Sequence, residues 1–155
     1  ILKKAFSTNG LLAYKIENLV KDLEELTNEY LADLSDGRFS LEFVVSNDKL
    51  NVEIDDNGKT VDILALSAGE LARVNTSTLL AIRKLMSSIS KSQLNVLFLD
   101  EVTNVLDEQG KERLVETLLK EDNLNTYIVS HGWTHPLLSK IEAIKEEKVS
   151  RLELG

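Results

Sequence analysis

A short, uninterrupted apolar run constrains the fold more than any other feature of the sequence. Residues 96–99 are Val, Leu, Phe and Leu, and the run ends abruptly in Asp100 and Glu101. An apolar run of this length without alternation is typical of a strand buried on both faces of a parallel sheet. A second run, at residues 126–129, follows a segment in which Asp107 can cap a helix that reaches about residue 120. Strand, helix and strand in this order form a βαβ unit, so we predict an α/β fold for the second half of the chain.

The first third of the sequence has the periodicity of a helix. Apolar side chains recur at intervals of three and four residues from Leu12 to Leu34, with charged residues between them. Ser35, Asp36 and Gly37 end this pattern with a glycine where a helix C-cap is expected. We therefore predict one long helix that ends near residue 35.

The next segment alternates between apolar and polar residues, which is the period of a strand. The alternation runs through residues 39–45, resumes over 50–54 and appears again over 61–63. Asn47-Asp48 separates the first two stretches, and Asp56-Asn57-Gly58 separates the last two. Because asparagine and glycine favour tight hairpin turns, we predict an antiparallel meander of three strands.

A second long helix and a final hairpin complete the predicted elements. The helix spans roughly residues 68–89, and its predicted inward face consists of Leu71, Val74, Thr78, Ile82, Leu85 and Ile89. The hairpin spans about residues 143–154 and turns at Glu146-Glu147. We expect residues 1–155 to form one unit, with a connecting helix at 1–37, the meander at 38–65 and an α/β lobe at 66–155.

Composition excludes several classes of protein. The 155 residues include no cysteine, which excludes a disulfide scaffold and thiolate-ligated zinc and favours an intracellular protein. A formal charge of −8 argues against a stand-alone nucleic-acid binder driven by charge. No apolar run approaches the ~18 residues of a membrane span, so no membrane partner is expected. The chain begins at Ile1 rather than at methionine, which is consistent with a piece of a longer protein.

The segment Leu66-Ser67-Ala68-Gly69-Glu70 allows two interpretations. Ser-x-x-Glu at the start of a helix is the capping box, in which Ser67 and Glu70 satisfy backbone N–H groups reciprocally. The same helix N-terminus also offers unpaired N–H groups and a positive dipole end to a phosphate, which a glycine lets approach the backbone. Ser67 and Gly69 are therefore candidate phosphate-binding residues, and a capping box alone is the simpler alternative.

Two acids and a histidine follow the predicted parallel strands. Asp100 and Glu101 end the first strand, and His131 follows the second. Because ligands of open α/β sheets gather outside the carboxyl ends of the strands, both ends are candidate site positions. In nucleotide hydrolases an aspartate here holds Mg²⁺, usually through water, and the next acid orients or deprotonates the attacking water. The alternative is a strand that simply reaches solvent, with an incidental histidine; His135, four residues on, is interpreted as a surface residue.

Other catalytic signatures are missing from the sequence. Gly58-Lys59-Thr60 imitates the end of a P-loop, but Glu53 stands at the position of the first glycine and the segment lies in a predicted hairpin. We interpret it as a turn. The two histidines have no zinc-ligand spacing, and there is no G-x-S-x-G nucleophile elbow.

Taken in order, four segments resemble the C-terminal half of an ABC-type ATPase head. Residues 66–70 resemble the signature motif, and residues 96–101 resemble the Walker B strand with its catalytic glutamate. Residues 104–107, Asn-Val-Leu-Asp, resemble the D-loop, and His131 resembles the switch histidine. Ala68 departs from the usual pattern, because a glycine normally stands there.

Two further sequence features resemble those of the SbcC-type branch of the SMC-like DNA repair ATPases. The signature motif ends in Glu70, whereas transporters usually have glutamine there. Ala5-Phe6, Leu12-Ala13-Tyr14 and residues 31–39 resemble the segment where a long coiled coil returns to the head. Within this family, the large subunits of bacteriophage recombination endonucleases are the proteins that the sequence resembles most.

The resemblance implies a site shared between two protomers. Two heads would dimerise head-to-tail around two ATP molecules, and Ser67 and Gly69 of one head would contact the γ-phosphate held by the P-loop of the other. Asp107 would communicate across this homodimer. The P-loop would come from an N-terminal half of the same protein, so the chain is expected to be inactive alone.

The resemblance also implies roles at the strand ends and partners outside the head. Asp100 would help to hold Mg²⁺, Glu101 would polarise the attacking water, and His131 would contact the γ-phosphate. Hydrolysis would open the coiled coils and regulate a phosphoesterase-type nuclease subunit on DNA, in the cytoplasm (that of the host, if a phage encodes the protein).

Two other functions remain open at this point. One is an SMC-type head that organises chromosomes without a nuclease and recruits a kleisin-like subunit. The other is a non-enzymatic interaction module, in which the motifs are helix caps and solvated strand ends.

Overall fold

The computed structural model describes residues 8–46, 49–90, 94–146 and 149–155. Over these ranges the helices are α1 Thr8–Ser35, α2 Ala68–Ile89 and α3 Glu108–Leu119, and short 3₁₀ turns lie at Ile63–Ala65 and Val102–Asn104. The strands are β1 Phe39–Ser46, β2 Lys49–Asp56, β3 Lys59–Val61, β4 Val96–Asp100, β5 Asn125–Val129, β6 Ile141–Glu146 and β7 Val149–Leu154. They form the antiparallel sheet β1-β2-β3, the parallel pair β4-β5 and the antiparallel pair β6-β7. The predicted α/β class is confirmed.

Helix α1 ends at the predicted place by a left-handed turn. The Gly37 N–H donates to the Ala32 carbonyl at 2.9 Å, which satisfies one of the acceptors left open at a helix C-terminus. Asp36 has φ 60° and Gly37 has φ 71°, so the turn uses both residues rather than the glycine alone. Of the segments that resemble the return of a coiled coil to the head, Ala5-Phe6 and the side chains of residues 12–13 lie outside the described residues.

The three-stranded antiparallel meander is confirmed, and its end is corrected. Phe39 pairs with Asp56 across β1 and β2, and the β2–β3 turn at Asn57 and Gly58 has positive φ at both residues, as a two-residue hairpin of the primed type requires. The strand predicted to reach Ile63 ends at Val61. Residues 63–65 form a 3₁₀ turn instead, because the Asp62 carboxylate accepts from the Leu64 N–H at 2.8 Å and turns the chain. The predicted turn at Asn47-Asp48 lies outside the described residues.

Two apolar clusters form the core, one on each side of helices α1 and α2. The first joins these helices to the meander and consists of Leu31, Phe39, Leu41, Ile54 and Val74. The second joins them to β4 and α3 and consists of Tyr30, Leu34, Leu80, Ala81, Leu97, Leu99, Leu106, Leu114 and Leu118. Helices α1 and α2 therefore fix the position of the meander relative to the βαβ unit.

The inward face of α2 differs from the predicted one. Val74, Ser77, Leu80 and Ala81 are buried, whereas the predicted core residue Ile89 is 61% exposed. Ile82, also predicted to face inward, is exposed as well. The predicted and the observed sets of inward residues both have helical spacing, and both include Val74. The packing of α2 between the two clusters decides which set is buried, and periodicity alone does not.

The parallel pair β4-β5 is buried on one face only, so the prediction of burial on both faces is wrong. Leu97 and Leu99 point into the core, but Phe98 is 67% exposed and stacks on Tyr127 at 5.1 Å between ring centroids. The helices of the described ranges pack against one side of this sheet, and the other side carries an apolar surface that faces solvent.

The final hairpin begins slightly earlier than predicted, at Ile141, and Ala143 pairs with Leu152 across it. Of its predicted turn, Glu146 ends β6, and residue 147 lies outside the described residues. Over the described ranges, no helix combines the length and the apolar character needed to cross a membrane.

Candidate functional site

The carboxyl ends of β4 and β5 bring Glu101 and His131 into contact. In the parallel register Asp100 lies opposite Val129, and the Glu101 N–H donates to the Val129 carbonyl at 2.9 Å. Glu101 is one residue beyond the end of β4 and His131 is two residues beyond the end of β5, and Glu101 Oε1 lies 2.9 Å from His131 Nε2. The two side chains are 54% and 82% exposed, so a solvent-borne ligand can reach both.

Glu101 has a backbone conformation that a non-glycine residue seldom adopts. Its φ of 53° and ψ of 13° place it in the left-handed region, directly between β4 and the 3₁₀ turn at 102–104. Such a conformation costs of order 1–3 kcal/mol and persists only where the surroundings impose it. Here the hydrogen bond to Val129 holds the backbone, and the left-handed turn brings the Glu101 carboxylate to His131.

Asp100 is the last residue of β4 and is exposed at the same rim. Within the described ranges there is no group of three or more histidine, aspartate or glutamate side chains that could hold a metal ion. Asp100 therefore offers a single carboxylate. That fits Mg²⁺, which keeps several waters and is commonly bound through one or two carboxylates together with substrate phosphates.

Ser67 caps α2 in a complete capping box. Its Oγ accepts from the Glu70 N–H at 3.3 Å, and Glu70 Oε2 accepts from the Ser67 N–H at 2.9 Å. The Ser67 oxygen accepts in this box, and its O–H can donate to one acceptor at a time, either the Glu70 carboxylate or a bound anion. The hydrogen bonds from the Ser67 backbone and side chain, and then the nearby Arg38 guanidinium, lower the pKa of Glu70 and keep the carboxylate ionised. Ala68 is the first residue of the helix, and its methyl group is accommodated there.

Gly69 lies where the backbone of α2 approaches the backbone of the 104–107 segment. A Cβ at this position would lie 2.7 Å from the Val105 carbonyl oxygen, which is closer than carbon and oxygen can approach. From the sequence, the predicted role of Gly69 is to let a phosphate approach the backbone. The structure supplies a second, steric reason for it, which is the approach of the neighbouring backbone.

Asp107 makes a second contact between α2 and the 104–107 segment. It is the N-cap of α3: Asp107 Oδ1 accepts from the Gly110 N–H at 2.9 Å and forms an ion pair with Arg73 Nη2 at 2.6 Å. The hydrogen bond from Gly110 and then the charge of Arg73 lower the pKa of Asp107. The structure thus divides the predicted residues into two groups, the Ser67 box and the Asp100–Glu101–His131 rim, and the 104–107 segment connects them.

Two arginines at this site were not identified from the sequence. Arg73 holds Asp107, and Arg38 binds Glu70 Oε1 at 2.8 Å. Their partners are distant in sequence, so no local pattern reveals them. His135 also differs from its interpretation as a surface residue: its side chain is only 8% exposed and lies 3.1 Å from Glu112 Oε2.

Comparison with known sequences gives two informative similarities, and no protein-family model matches the chain. The chain is 47% identical over 145 residues to "Probable exonuclease subunit 2" of Escherichia phage T5, a match that covers 93% of this chain and 24% of the phage protein. It is 29% identical over 137 residues to the "DNA double-strand break repair Rad50 ATPase" of Thermoplasma acidophilum, covering 84% of this chain and 14% of that protein. The chain therefore spans a quarter or less of the length of these relatives.

Comparison with solved structures identifies the fold. A structure described as "Structural biochemistry of ATP-driven dimerization and DNA stimulated activation of SMC ATPases" matches with a TM-score of 0.71 at 19% identity, over 91% of this chain and 88% of that one. The Smc head bound to the C-terminal winged-helix domain of ScpA matches with a TM-score of 0.68 at 21% identity, over 87% of this chain and 42% of that one. Sequence and fold together place the chain with the C-terminal half of the heads of SbcC- and SMC-like ATPases.

Proposed function

We propose that this chain is the C-terminal half of an ATPase head that hydrolyses ATP when two heads dimerise and thereby regulates a DNA repair or recombination nuclease. The observation that carries the proposal is the 2.9 Å contact between Glu101 and His131 at the carboxyl ends of two parallel strands. This arrangement places a potential base and a potential hydrogen-bond donor where an α/β sheet binds its ligands.

At the rim, each side chain has a distinct proposed task. Glu101 orients and deprotonates the attacking water, and His131 contacts the γ-phosphate. The contact between the two side chains holds the imidazole ring in place before the nucleotide arrives. Asp100 would help to hold Mg²⁺ through water, and the ion would neutralise charge on the phosphates when it is bound.

Ser67 is proposed to act in the neighbouring head. It lies at the N-terminus of a 22-residue helix, where backbone N–H groups and the helix dipole favour an anion, and its hydroxyl can donate. In a head-to-tail dimer, Ser67 and Gly69 would contact the γ-phosphate bound by the opposite protomer. Asp107, held against α2 by Arg73, would relate the two sites across the dimer.

The remaining parts of the site are proposed to come from the rest of the same protein. The exposed face of β4-β5, with Phe98 and Tyr127 at its centre, is an apolar surface suited to cover by another segment. An N-terminal half that carries the P-loop would provide both this cover and the phosphate cradle. We further propose that residues 1–155 act as one unit with it, in the cytoplasm.

The name of the phage T5 relative supports a nuclease subunit as partner, and the name of the Rad50 relative supports DNA as the shared substrate. The similarity to a head bound by ScpA supports the second candidate, a head that organises chromosomes and recruits a kleisin-like subunit. Affinity purification distinguishes the two: recovery of a phosphoesterase subunit favours the first, and recovery of a kleisin-like subunit favours the second.

The substitution Glu101→Gln in the full-length protein tests the proposed function. The amide keeps the size of the side chain but cannot take a proton, so we expect ATP turnover to fall by about 10²–10⁴-fold while ATP-bound dimers accumulate. Turnover is measured by phosphate release and dimer formation by light scattering.

Glu116→Gln is the matched control, because Glu116 is an exposed glutamate on α3 away from the rim. It should leave both quantities unchanged. If Glu101→Gln and Glu116→Gln behave alike, Glu101 is not the base and the proposed ATPase mechanism is wrong.

A further inference from the structure

An arginine at the end of α1 is joined to the phosphate-facing serine by a short chain of hydrogen bonds. Arg38 follows the left-handed turn that ends α1, and its guanidinium uses all three nitrogens. Nε and Nη2 bind the two oxygens of Asp56 at 2.9 Å and 2.6 Å, and Nη1 binds Glu70 Oε1 at 2.8 Å. Glu70 Oε2, the other oxygen of that carboxylate, accepts from the Ser67 N–H.

The guanidinium is held in one place by its surroundings. The bidentate pair with Asp56 fixes its plane, and the ring of Phe39 lies 4.3 Å from the guanidinium carbon. Phe39 itself is buried in the cluster that joins α1, α2 and the meander. Although the Arg38 side chain is 47% exposed, the Asp56 pair and the Phe39 ring together fix the position of Nη1, so Arg38 can orient Glu70 rather than follow it.

We infer that Arg38 is a positioning residue for the signature motif, because it acts through Glu70 to hold Ser67 in the geometry that meets the γ-phosphate of the opposite head. This inference rests on the proposed function. Because Arg38 lies between α1 and β1, the inference also means that a movement of the end of α1 would change the position of Ser67.

The same geometry explains why a glutamate ends the signature motif in this chain. A carboxylate can accept from Arg38 with one oxygen and from Ser67 with the other. A glutamine has one oxygen and one NH₂, so it would turn a donor toward either the guanidinium or the Ser67 N–H. Glu70→Gln should therefore be harmful only while Arg38 is present.

The test measures nucleotide-driven association of heads in the full-length protein, with a non-hydrolysable ATP analogue and energy transfer between labelled heads. Arg38→Gln should raise the nucleotide concentration for half-maximal association by about two- to fivefold, the range typical of an exposed charge pair. Arg38→Lys, which keeps the charge, should restore part of the loss. Glu70→Gln should weaken association alone but add nothing to Arg38→Gln.

Arg113→Gln is the matched control, because Arg113 pairs with Asp36 at the same end of α1 but does not contact the signature motif. Its association should equal that of the unchanged protein. The inference is overturned if Arg38→Gln behaves like Arg113→Gln, or if the losses from Arg38→Gln and Glu70→Gln simply add.

Two further outcomes are also decisive. If Arg38→Gln fails to fold, as judged by circular dichroism, Glu70→Gln carries the test, and unchanged association in that variant overturns the inference. If the unchanged protein shows no nucleotide-driven association, the proposed function is wrong, and the inference falls with it.

Discussion

Gly69 shows how one residue can be required for a reason that its motif does not state. The glycine belongs to a segment that resembles a phosphate-binding motif, yet the nearest atom to a Cβ there would be the Val105 carbonyl oxygen at 2.7 Å. The side chain is absent because α2 and the 104–107 segment touch through their backbones. Any substitution must move one of them.

Gly69→Ala should therefore destabilise the chain, by about 1–3 kcal/mol, because the added methyl group overpacks the contact. The measurement is the free energy of unfolding from urea titration followed by circular dichroism. Ala68→Gly is the matched control at the adjacent position and should cost at most about 1 kcal/mol. Equal losses in the two variants would contradict the steric account of Gly69.

Asp107 should make the free energy of unfolding depend on pH. Its pKa lies below the ordinary value of 3.8, so its contribution to stability is present above that pH and is lost as the pH falls through the lowered pKa. Asp107→Asn keeps an oxygen for the Gly110 N–H but removes the charge that pairs with Arg73. The variant should be less stable than the unchanged chain at pH 7, and the difference should narrow as the pH falls from about 5 towards 2. At pH 7, added salt should also narrow the difference in the free energy of unfolding between the two proteins. A difference that changes with neither pH nor salt would show that the charge is not involved.

Among the elements, α1, α2 and the segment after α3 are joined by one partly buried polar network. Tyr30 Oη donates to Glu121 Oε1 at 2.6 Å, and Arg83 Nη1 binds Glu121 Oε2 at the same distance. Arg83 also donates to the Leu94 carbonyl at 2.9 Å, just before β4. Burial and then the hydrogen bond to Glu121 raise the pKa of Tyr30, so its hydroxyl stays protonated and continues to donate.

Removing the cation from this network should be costly. Arg83→Met leaves Glu121 partly buried without a positive partner, and the expected loss in the free energy of unfolding is about 3 kcal/mol. Lys120→Met is the control, because the Lys120–Asp33 pair also joins α1 to the end of α3 but is exposed, and it should cost at most about 1 kcal/mol. Similar losses in both variants, measured by urea titration, would show that the network does not hold α1 in place.

The sequence was sufficient for the elements and for part of the site. Glu101 and His131 were recognisable as candidate residues because they follow two predicted parallel strands, whose carboxyl ends lie at one edge of a sheet, whereas their direct contact is visible only in the structure. The inward face of α2 could not be chosen in advance, since two overlapping stripes through Val74 both have helical spacing. Arg38 is held by Asp56 and Arg73 pairs with Asp107, partners that are 18 and 34 residues away, and local pattern carries no signal for such contacts.

At the scale of the whole molecule, the surfaces that the proposed function would cover are exposed in this chain. Ser67 faces solvent, the Glu101–His131 rim is exposed, and one face of β4-β5 presents Phe98 and Tyr127 to water. Strands of continuous apolar sequence suggested burial on both sides, and the described helices cover only one. The continuous apolar sequence of β4 and β5 therefore also supports the proposal that an N-terminal half covers the exposed face of this sheet.

The most direct measurement is ATP turnover by the 155-residue chain, first alone and then with an added N-terminal half that carries the P-loop. We expect no turnover by the chain alone. With the added half, the rate should rise with the square of the concentration of reconstituted heads while most of them are monomeric. Turnover by the chain alone, or a rate that rises only in proportion to concentration, would contradict a site completed by a second protomer.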